Sequence, residues 1–292
     1  MKNEVFDDNG RSRGYYSSRN MVNDLTGKEW VFWTRSVISK VYPPDRQHRL
    51  RSTHGGQKPP ELCADLIRAF SKRGARILDP MMGVGGVLLG AASAGRTGLG
   101  IDINGRWVEL YRDVCRLEGL DELETRVGDS SVVLPTFEPE TFDMVLTDVP
   151  YWKMDRASRS PGRFKRVGEP SRPARATKLN RFDDGLGGSK EEWLAKMTDI
   201  LEKAAALLKP RGYLATFIGD MYCDGRYHCL SAELASSLSS LPGLVWKANL
   251  VWYDVSKKLH LYGYQYDYIP SLVHQNILVL RKVAAGVPAS GS

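Results

Sequence analysis

Apolar residues gather along this chain in short runs that stop at carboxylates. Arg76-Ile-Leu-Asp79 is one such run, and a second closes at Asp102. Between them lie a glycine cluster (Gly83, Gly85, Gly86) and an Ala-rich apolar segment, so the pattern predicts strand, tight turn, helix, strand. That is a βαβ unit with a ligand seat at its first turn. A third run, Phe142-Asp-Met-Val-Leu-Thr-Asp148, is followed at once by Pro150, Tyr151 and Trp152. Ligands bind at strand ends on this edge of a parallel sheet, which would set Asp148 beside whatever the glycine turn holds.

The rest of the chain reads as more α/β structure. Leu62, Leu66, Ile67 and Phe70 fall at helical spacing behind Pro59 and Pro60, which suit a helix start. A helix is expected over Asn104 to Glu118, and then a short strand from Thr125 ending in Asp129. Another helix is expected over Trp193 to Leu208, and a turn at Lys209-Pro-Arg-Gly leads into a strand from Tyr213 to Asp220. A helix over Leu230 to Leu238 precedes two strands, Leu244 to Tyr253 and Asn276 to Lys282, paired like a hairpin. The tyrosines of the stretch joining them, Leu259 to Tyr268, either line a base pocket or cover the sheet edge. Residues 1 to 20 are polar and expected to be mobile, as is the tail from Ala284. The aromatic cluster from Asn23 to Ile38 reads as a packed extension or as a surface offering Trp30, Trp33 and Arg35 to nucleic acid.

Glycines at the first turn supply the dihedrals of a sharp reversal and let a ligand approach the backbone. An acid about 20 residues on, here Asp102, is where such folds hold ribose hydroxyls. The full G-x-G-x-x-G spacing is missing, which argues against a dinucleotide.

At these residues the chain resembles the S-adenosylmethionine-dependent amino-methyltransferases of DNA. Asp79-Pro-Met-Met-Gly-Val-Gly85 is similar to their cofactor motif Asp-Pro-Phe-x-Gly-x-Gly, with Met81 in place of Phe. Asp148-Val-Pro-Tyr151 is similar to their catalytic Asp/Asn/Ser-Pro-Pro-Tyr, with Val149 in place of the first proline. Gln57-Lys58-Pro59 matches the stretch that contacts the methionine end of the cofactor in that family.

The resemblance implies a Rossmann-like class I methyltransferase fold, with a mostly parallel seven-stranded sheet and helices on both faces. It implies a methyltransferase domain over 57–282 with a loop insertion at 153–188, an N-terminal extension over 1–56 packing on it, and a tail over 283–292. S-adenosyl-L-methionine would contact Lys58, Asp79, Met81, Gly83, Gly85, Asp102 and Asp129. Asp129 would accept from the adenine amino group, or it caps a helix. Asp148, Pro150 and Tyr151 would be catalytic, the motif order being gamma-like. Tyr151 and Trp152 would stack on an extruded base, or they belong to the core.

Charge adds the partner. The formal net charge is +7, and between Lys153 and Arg181 ten basic residues stand against two acidic ones. Arg156, Arg159, Arg163, Lys165 and Arg166, directly after the catalytic strand, are expected to contact phosphates and release condensed counterions. The expected substrate is duplex DNA with a flipped base, adenine N6 ahead of cytosine N4. A homodimer and a cognate restriction enzyme are partners consistent with that reading.

Cytosine C5 chemistry is disfavoured, since no cysteine follows a proline. The four cysteines form no disulfide framework, and Cys223, His228 and Cys229 are one ligand short of a zinc site, so no metal is expected. Neither a membrane span nor a signal peptide is visible, and a cytoplasmic location is the default expectation. The motifs also resemble tRNA guanosine N2-methyltransferases. Those carry an RNA-binding domain upstream, and the roughly 55 residues before Gln57 look too few for one. A non-catalytic nucleic-acid-binding subunit that kept the fold is a further alternative.

Overall fold

The computed structural model describes residues 2–6, 10–152, 188–255, 257, 259 and 267–283. The N-terminal part carries β1 (Lys2–Phe6), β2 (Ser12–Ser17), α1 (Gly27–Trp33), β3 (Val37–Ile38) and α2 (His48–Arg51). The alternating part follows with α3 (Pro60–Phe70), β4 (Arg76–Asp79), α4 (Gly86–Ser93), β5 (Thr97–Asp102), α5 (Gly105–Glu118), β6 (Glu124–Val127), α6 (Ser130–Val133) and β7 (Phe142–Asp148). Then come α7 (Lys190–Ala206), β8 (Leu208–Ile218), β9 (Met221–Cys223), β10 (Arg226–His228), α8 (Leu230–Ser239), β11 (Leu244–Tyr253) and β12 (His274–Lys282).

The main sheet runs in the order β3-β11-β12-β8-β7-β4-β5-β6. Strands β8, β7, β4, β5 and β6 are mutually parallel, whereas β12 runs antiparallel to both of its neighbours. The seven expected strands are present, and β3 adds a two-residue eighth at the edge beside β11. Ile77, Leu78, Val145 and Leu146 are wholly buried because helices cover the sheet on both sides. Trp193, Met197 and Leu201 of α7 pack on one face with α8. Leu62, Leu66 and Ile67 of α3 pack on the other face with Val87 and Ala91 of α4. Strand order reverses between β4 and β7, the topological switch point at which such sheets bind ligands.

Three expectations are corrected. Residues 2–6 and 12–17 pair as antiparallel strands, Lys2 opposite Ser17 and Val5 opposite Gly14, instead of forming a mobile tail. Their polar surface hides the strand period: Tyr15 is exposed and Ser12 hydrogen-bonds Glu4. Strand β8 starts at Leu208, because Lys209-Pro-Arg-Gly is a bulge inside the strand, with Leu208 opposite Phe142 and Tyr213 opposite Met144. Strand β6 stops at Val127, and Asp129 caps α6 by accepting from the Ser131 amide at 2.9 Å.

The N-terminal segment is tied to the sheet domain by Asn23, whose Nδ2 donates to the Ala69 carbonyl at 2.6 Å, and by Asp24, which accepts from the Arg73 amide at 2.6 Å. None of the α1 side chains is buried; Trp30 is exposed and Trp33 packs partly against the core. Among the described residues, no helix is long and apolar enough to cross a membrane.

Candidate active site at the tips of β4, β5 and β7

The C-terminal tips of β4, β5 and β7 open into one cleft of about 950 Å³, counted with its mouth. Lys58, Asp79, Met81, Gly83, Asp102, Asp129, Asp148 and Pro150 all line it.

The glycine turn is fixed from behind. The Gly83 amide donates to Asp102 Oδ2 at 2.7 Å, and the Asn104 amide donates to Oδ1 of the same carboxylate at 2.9 Å. Gly83 and Gly85 have φ of +48° and +75°, in the left-handed region that favours glycine. A Cβ on Gly85 would lie 2.1 Å from the Tyr111 ring, and one on Gly86 would lie 2.8 Å from the Lys58 carbonyl. These two glycines therefore permit close packing behind the turn, and Gly85, expected to touch cofactor, stays outside the cleft lining.

Asp79 is buried, with Oδ1 accepting from the Thr147 hydroxyl at 2.7 Å and the Met81 amide at 3.2 Å. Burial pushes its carboxyl up to about 7, against the opposing pull of those two hydrogen bonds. Asp148 is likewise raised by burial, opposed first by Lys58, whose ammonium pairs with Oδ2, and then by Tyr151. The Tyr151 hydroxyl donates to Asp148 Oδ1 at 3.4 Å and accepts from Gln275 Nε2 at 2.5 Å. Gly219 leaves room for the Tyr151 ring, since a Cβ there would meet it at 2.8 Å. At Asp129, burial pushes upward but is outweighed by the Ser131 hydroxyl and amide and by Lys196, 3.6 Å away, which hold the carboxyl low.

Trp152 needs a correction. It is 7% exposed, donates from Nε1 to the Gly188 carbonyl at 3.1 Å, and meets His228 edge-on at 5.1 Å. In this position it is a core residue and offers no face to a base. Val149, standing where a proline was expected, is also buried in the core. Trp193 Nε1 donates to the Pro150 carbonyl at 2.7 Å and fixes the loop. Arg156, Arg159, Arg163, Lys165 and Arg166 lie outside the described residues, as does most of the tyrosine stretch.

Several lining residues were not singled out in the sequence: His54, Ile103, Lys196, Met197 and Ile200. Burial, reinforced by Lys58 and Arg51, lowers His54 to about 4, so this imidazole is neutral. Lys196 and Met197 come from α7, whose period marked only a core-facing stripe. Among the described residues no group of three His, Cys, Asp or Glu side chains could hold a metal ion.

The cleft suits S-adenosylmethionine. Met81, Met82, Val84, Val87, Met197 and Ile200 give an apolar lining for a purine, and Asp102 and Asp129 are acceptors for hydroxyl and amino groups. Gln57 also lines the cleft, and its buried Oε1 has no hydrogen-bond partner among the described residues, which fits an acceptor for the α-ammonium of the donor. When bound, this cofactor supplies an electrophilic methyl group on a sulfonium.

A family model described as DNA methylase matches residues 8–113. The tRNA (guanine(10)-N2)-dimethyltransferase of Pyrococcus abyssi is 32% identical over 93 residues, 32% of this chain and 28% of that protein. The Type II methyltransferase M2.DpnII of Streptococcus pneumoniae is 33% identical over 113 residues, 38% and 39% of the two chains. The matched segments thus span less than two fifths of these curated relatives. The crystal structure of TrmN from Thermus thermophilus superposes with a TM-score of 0.51 at 22% identity, covering 80% of this chain and 52% of that one. The fold is that of a class I methyltransferase. The family-model match includes the motif at Asp79 and bears out the resemblance to the N6/N4 amino-methyltransferases, and the lining of the cleft fits S-adenosylmethionine.

Proposed function

We propose that this chain is a DNA amino-methyltransferase that transfers the methyl group of S-adenosylmethionine to the exocyclic amino nitrogen of a base taken out of the duplex, adenine N6 ahead of cytosine N4. The observation that carries this reading is the opening of Asp148, at the tip of β7, into the same cleft as the glycine turn. An exocyclic amine is a weak nucleophile because its lone pair is delocalised into the ring. Accepting hydrogen bonds from its two N–H groups favours a pyramidal nitrogen with the pair aimed at the methyl group. Asp148 Oδ1 is one acceptor. With the Pro150 carbonyl engaged by Trp193, the Val149 carbonyl is assigned as the other. Pro150 keeps Val149 extended, so the change from proline preserves the carbonyl's direction. Tyr151 stays beside Asp148 as a face for the extruded base, and the basic residues after Trp152 are assigned to phosphates.

The similarity to tRNA (guanine(10)-N2)-dimethyltransferases supports a second reading, transfer to guanine N2 in RNA. Incubating the protein with labelled S-adenosylmethionine and either duplex DNA or tRNA, then digesting and identifying the labelled nucleoside, separates the two. N6-methyladenine or N4-methylcytosine in DNA is expected; N2-methylguanine in tRNA alone would replace the first reading by the second.

A further inference from the structure

The resemblance assigns Lys58 to the methionine end of the donor, yet its ammonium faces the other half of the reaction. Lys58 is 6% exposed, and its ammonium pairs with Asp148 Oδ2. The same nitrogen lies over the Phe217 and Tyr151 rings, 5.3 Å and 5.9 Å from their centroids. Its backbone is held as firmly. The Arg51 guanidinium donates to the Lys58 carbonyl at 2.5 Å, and Gly86 has no Cβ where one would crowd that oxygen.

Without this ammonium, Asp148 would stand in a setting that favours a neutral acid. The Asp79 carboxyl and the Cys63 thiol also face it, while the Tyr151 hydroxyl, donating to Oδ1, sides with Lys58 in favouring the charged form. Lys257 reaches it only through space, its Nζ donating to the Leu272 carbonyl at 3.4 Å. Arg51 and His54 flank Lys58 from the other side, and His54 is neutral. A neutral Asp148 carries an O–H that would donate to the lone pair of the target amine, the pair that must attack the methyl carbon. An ionised Asp148 accepts from the amine instead. Its charge state therefore decides whether it helps or blocks transfer.

We infer that Lys58 is a positioning residue for the target amine: its ammonium occupies Oδ2 of Asp148 and keeps that carboxylate ionised, presenting Oδ1 to the incoming N–H. This rests on the amino-methyltransferase reading. After transfer the nitrogen's surplus proton passes to Oδ1 and on to solvent.

The test compares Lys58→Met and Lys58→Arg with the parent. In Lys58→Met the acid limb of the methyl-transfer pH profile moves upward by about one pH unit or more, the size an adjacent opposite charge produces. Activity is regained at alkaline pH, and affinity for S-adenosylhomocysteine, read by calorimetry, changes by less than about threefold, well under one factor of ten. Lys58→Arg keeps the limb in place. A limb that stays put in Lys58→Met, a limb that moves equally in Lys58→Arg, or a tenfold or greater loss of affinity (about 1.4 kcal/mol) with an unmoved limb overturns the inference.

A substrate-free readout covers a variant that fails to fold. The carboxyl ¹³C resonance of Asp148 in the parent, assigned with Asp148→Asn, is expected to report an ionised group at pH 7; a protonated one overturns the inference. Because this titration needs no nucleic acid, failure of the proposed substrate and failure of the Lys58 role are told apart.

Discussion

The Thr147 hydroxyl donates to Asp79 Oδ1 across 2.7 Å, joining the last turn of β7 to the tip of β4. Both residues are buried, and each precedes a part of the cleft lining: Asp148 on one strand, the glycine turn on the other. The bond ties the backbone of the two strand tips together. It also anchors a carboxyl whose titration is moved by burial to about 7, above the ordinary 3.8.

That shift makes stability depend on pH in a definite direction. The folded value is raised, so the stabilisation from protonated Asp79 is complete below about pH 4 and lost as pH rises through 7. Between these limits unfolding releases a proton. Asp79→Asn keeps an acceptor for Thr147 and Met81 but cannot ionise. Denaturant midpoints from pH 5 to pH 8 should show the variant gaining on the parent as pH rises, by up to about 1.4 kcal/mol per pH unit. A difference that does not change with pH would contradict the buried-acid account.

Gly85→Ala should destabilise the protein by about 2–4 kcal/mol, combining a left-handed φ with overpacking. The new methyl would fall 2.1 Å from the Tyr111 ring, and the Tyr111 hydroxyl is itself held as acceptor for the Leu123 amide at 3.0 Å. Urea unfolding measures this; a loss below about 0.5 kcal/mol, the level of an ordinary surface change, would show that the turn has slack.

How far the sequence reached is clear from pairs of residues. The strand tips at Asp79, Asp102 and Asp148 were legible because a parallel sheet aligns its C-terminal ends once strand order is known. The helices of 105–118 and 230–239 were legible from their apolar period. Trp152 was not, because an aromatic after Pro150 serves equally to stack or to pack. Its partners Gly188 and His228, distant in sequence, decide the matter. The Lys58–Asp148 pair joins residues 90 positions apart, and nothing local to Lys58 points across the cleft. Gly85 was legible as a glycine required by conformation, but that its missing side chain makes room for Tyr111 depends on how α5 docks. The pairing of β1 with β2 escaped because both strands are largely exposed and polar, with no buried side chain in β2 to mark a period.

The burial of Trp152 has its own test. Trp152→Leu should lower stability by about 2 kcal/mol, as expected for a large-to-small core change, and leave nucleic-acid affinity unaltered. Loss of a base-stacking aromatic would instead cost about 1–3 kcal/mol of binding. Fluorescence anisotropy with a labelled duplex, read beside urea unfolding, distinguishes the two.

For the basic segment, Arg163→Ala combined with Lys165→Ala should weaken DNA binding and reduce the slope of log affinity against log salt by about 2, one for each lost phosphate contact. Titrations at several salt concentrations give the slope directly. An unchanged slope would remove these side chains from the phosphate interface.

The most direct test of the central claim follows label from S-adenosylmethionine into duplex DNA for the parent and for Asp148→Ala, with S-adenosylhomocysteine affinity measured on both. The account predicts that the parent labels an exocyclic amino group. It predicts that the variant loses about a hundredfold or more of the rate, as when one preorganised transition-state contact is removed, while affinity for the cofactor product is retained. Equal rates in parent and variant would contradict it.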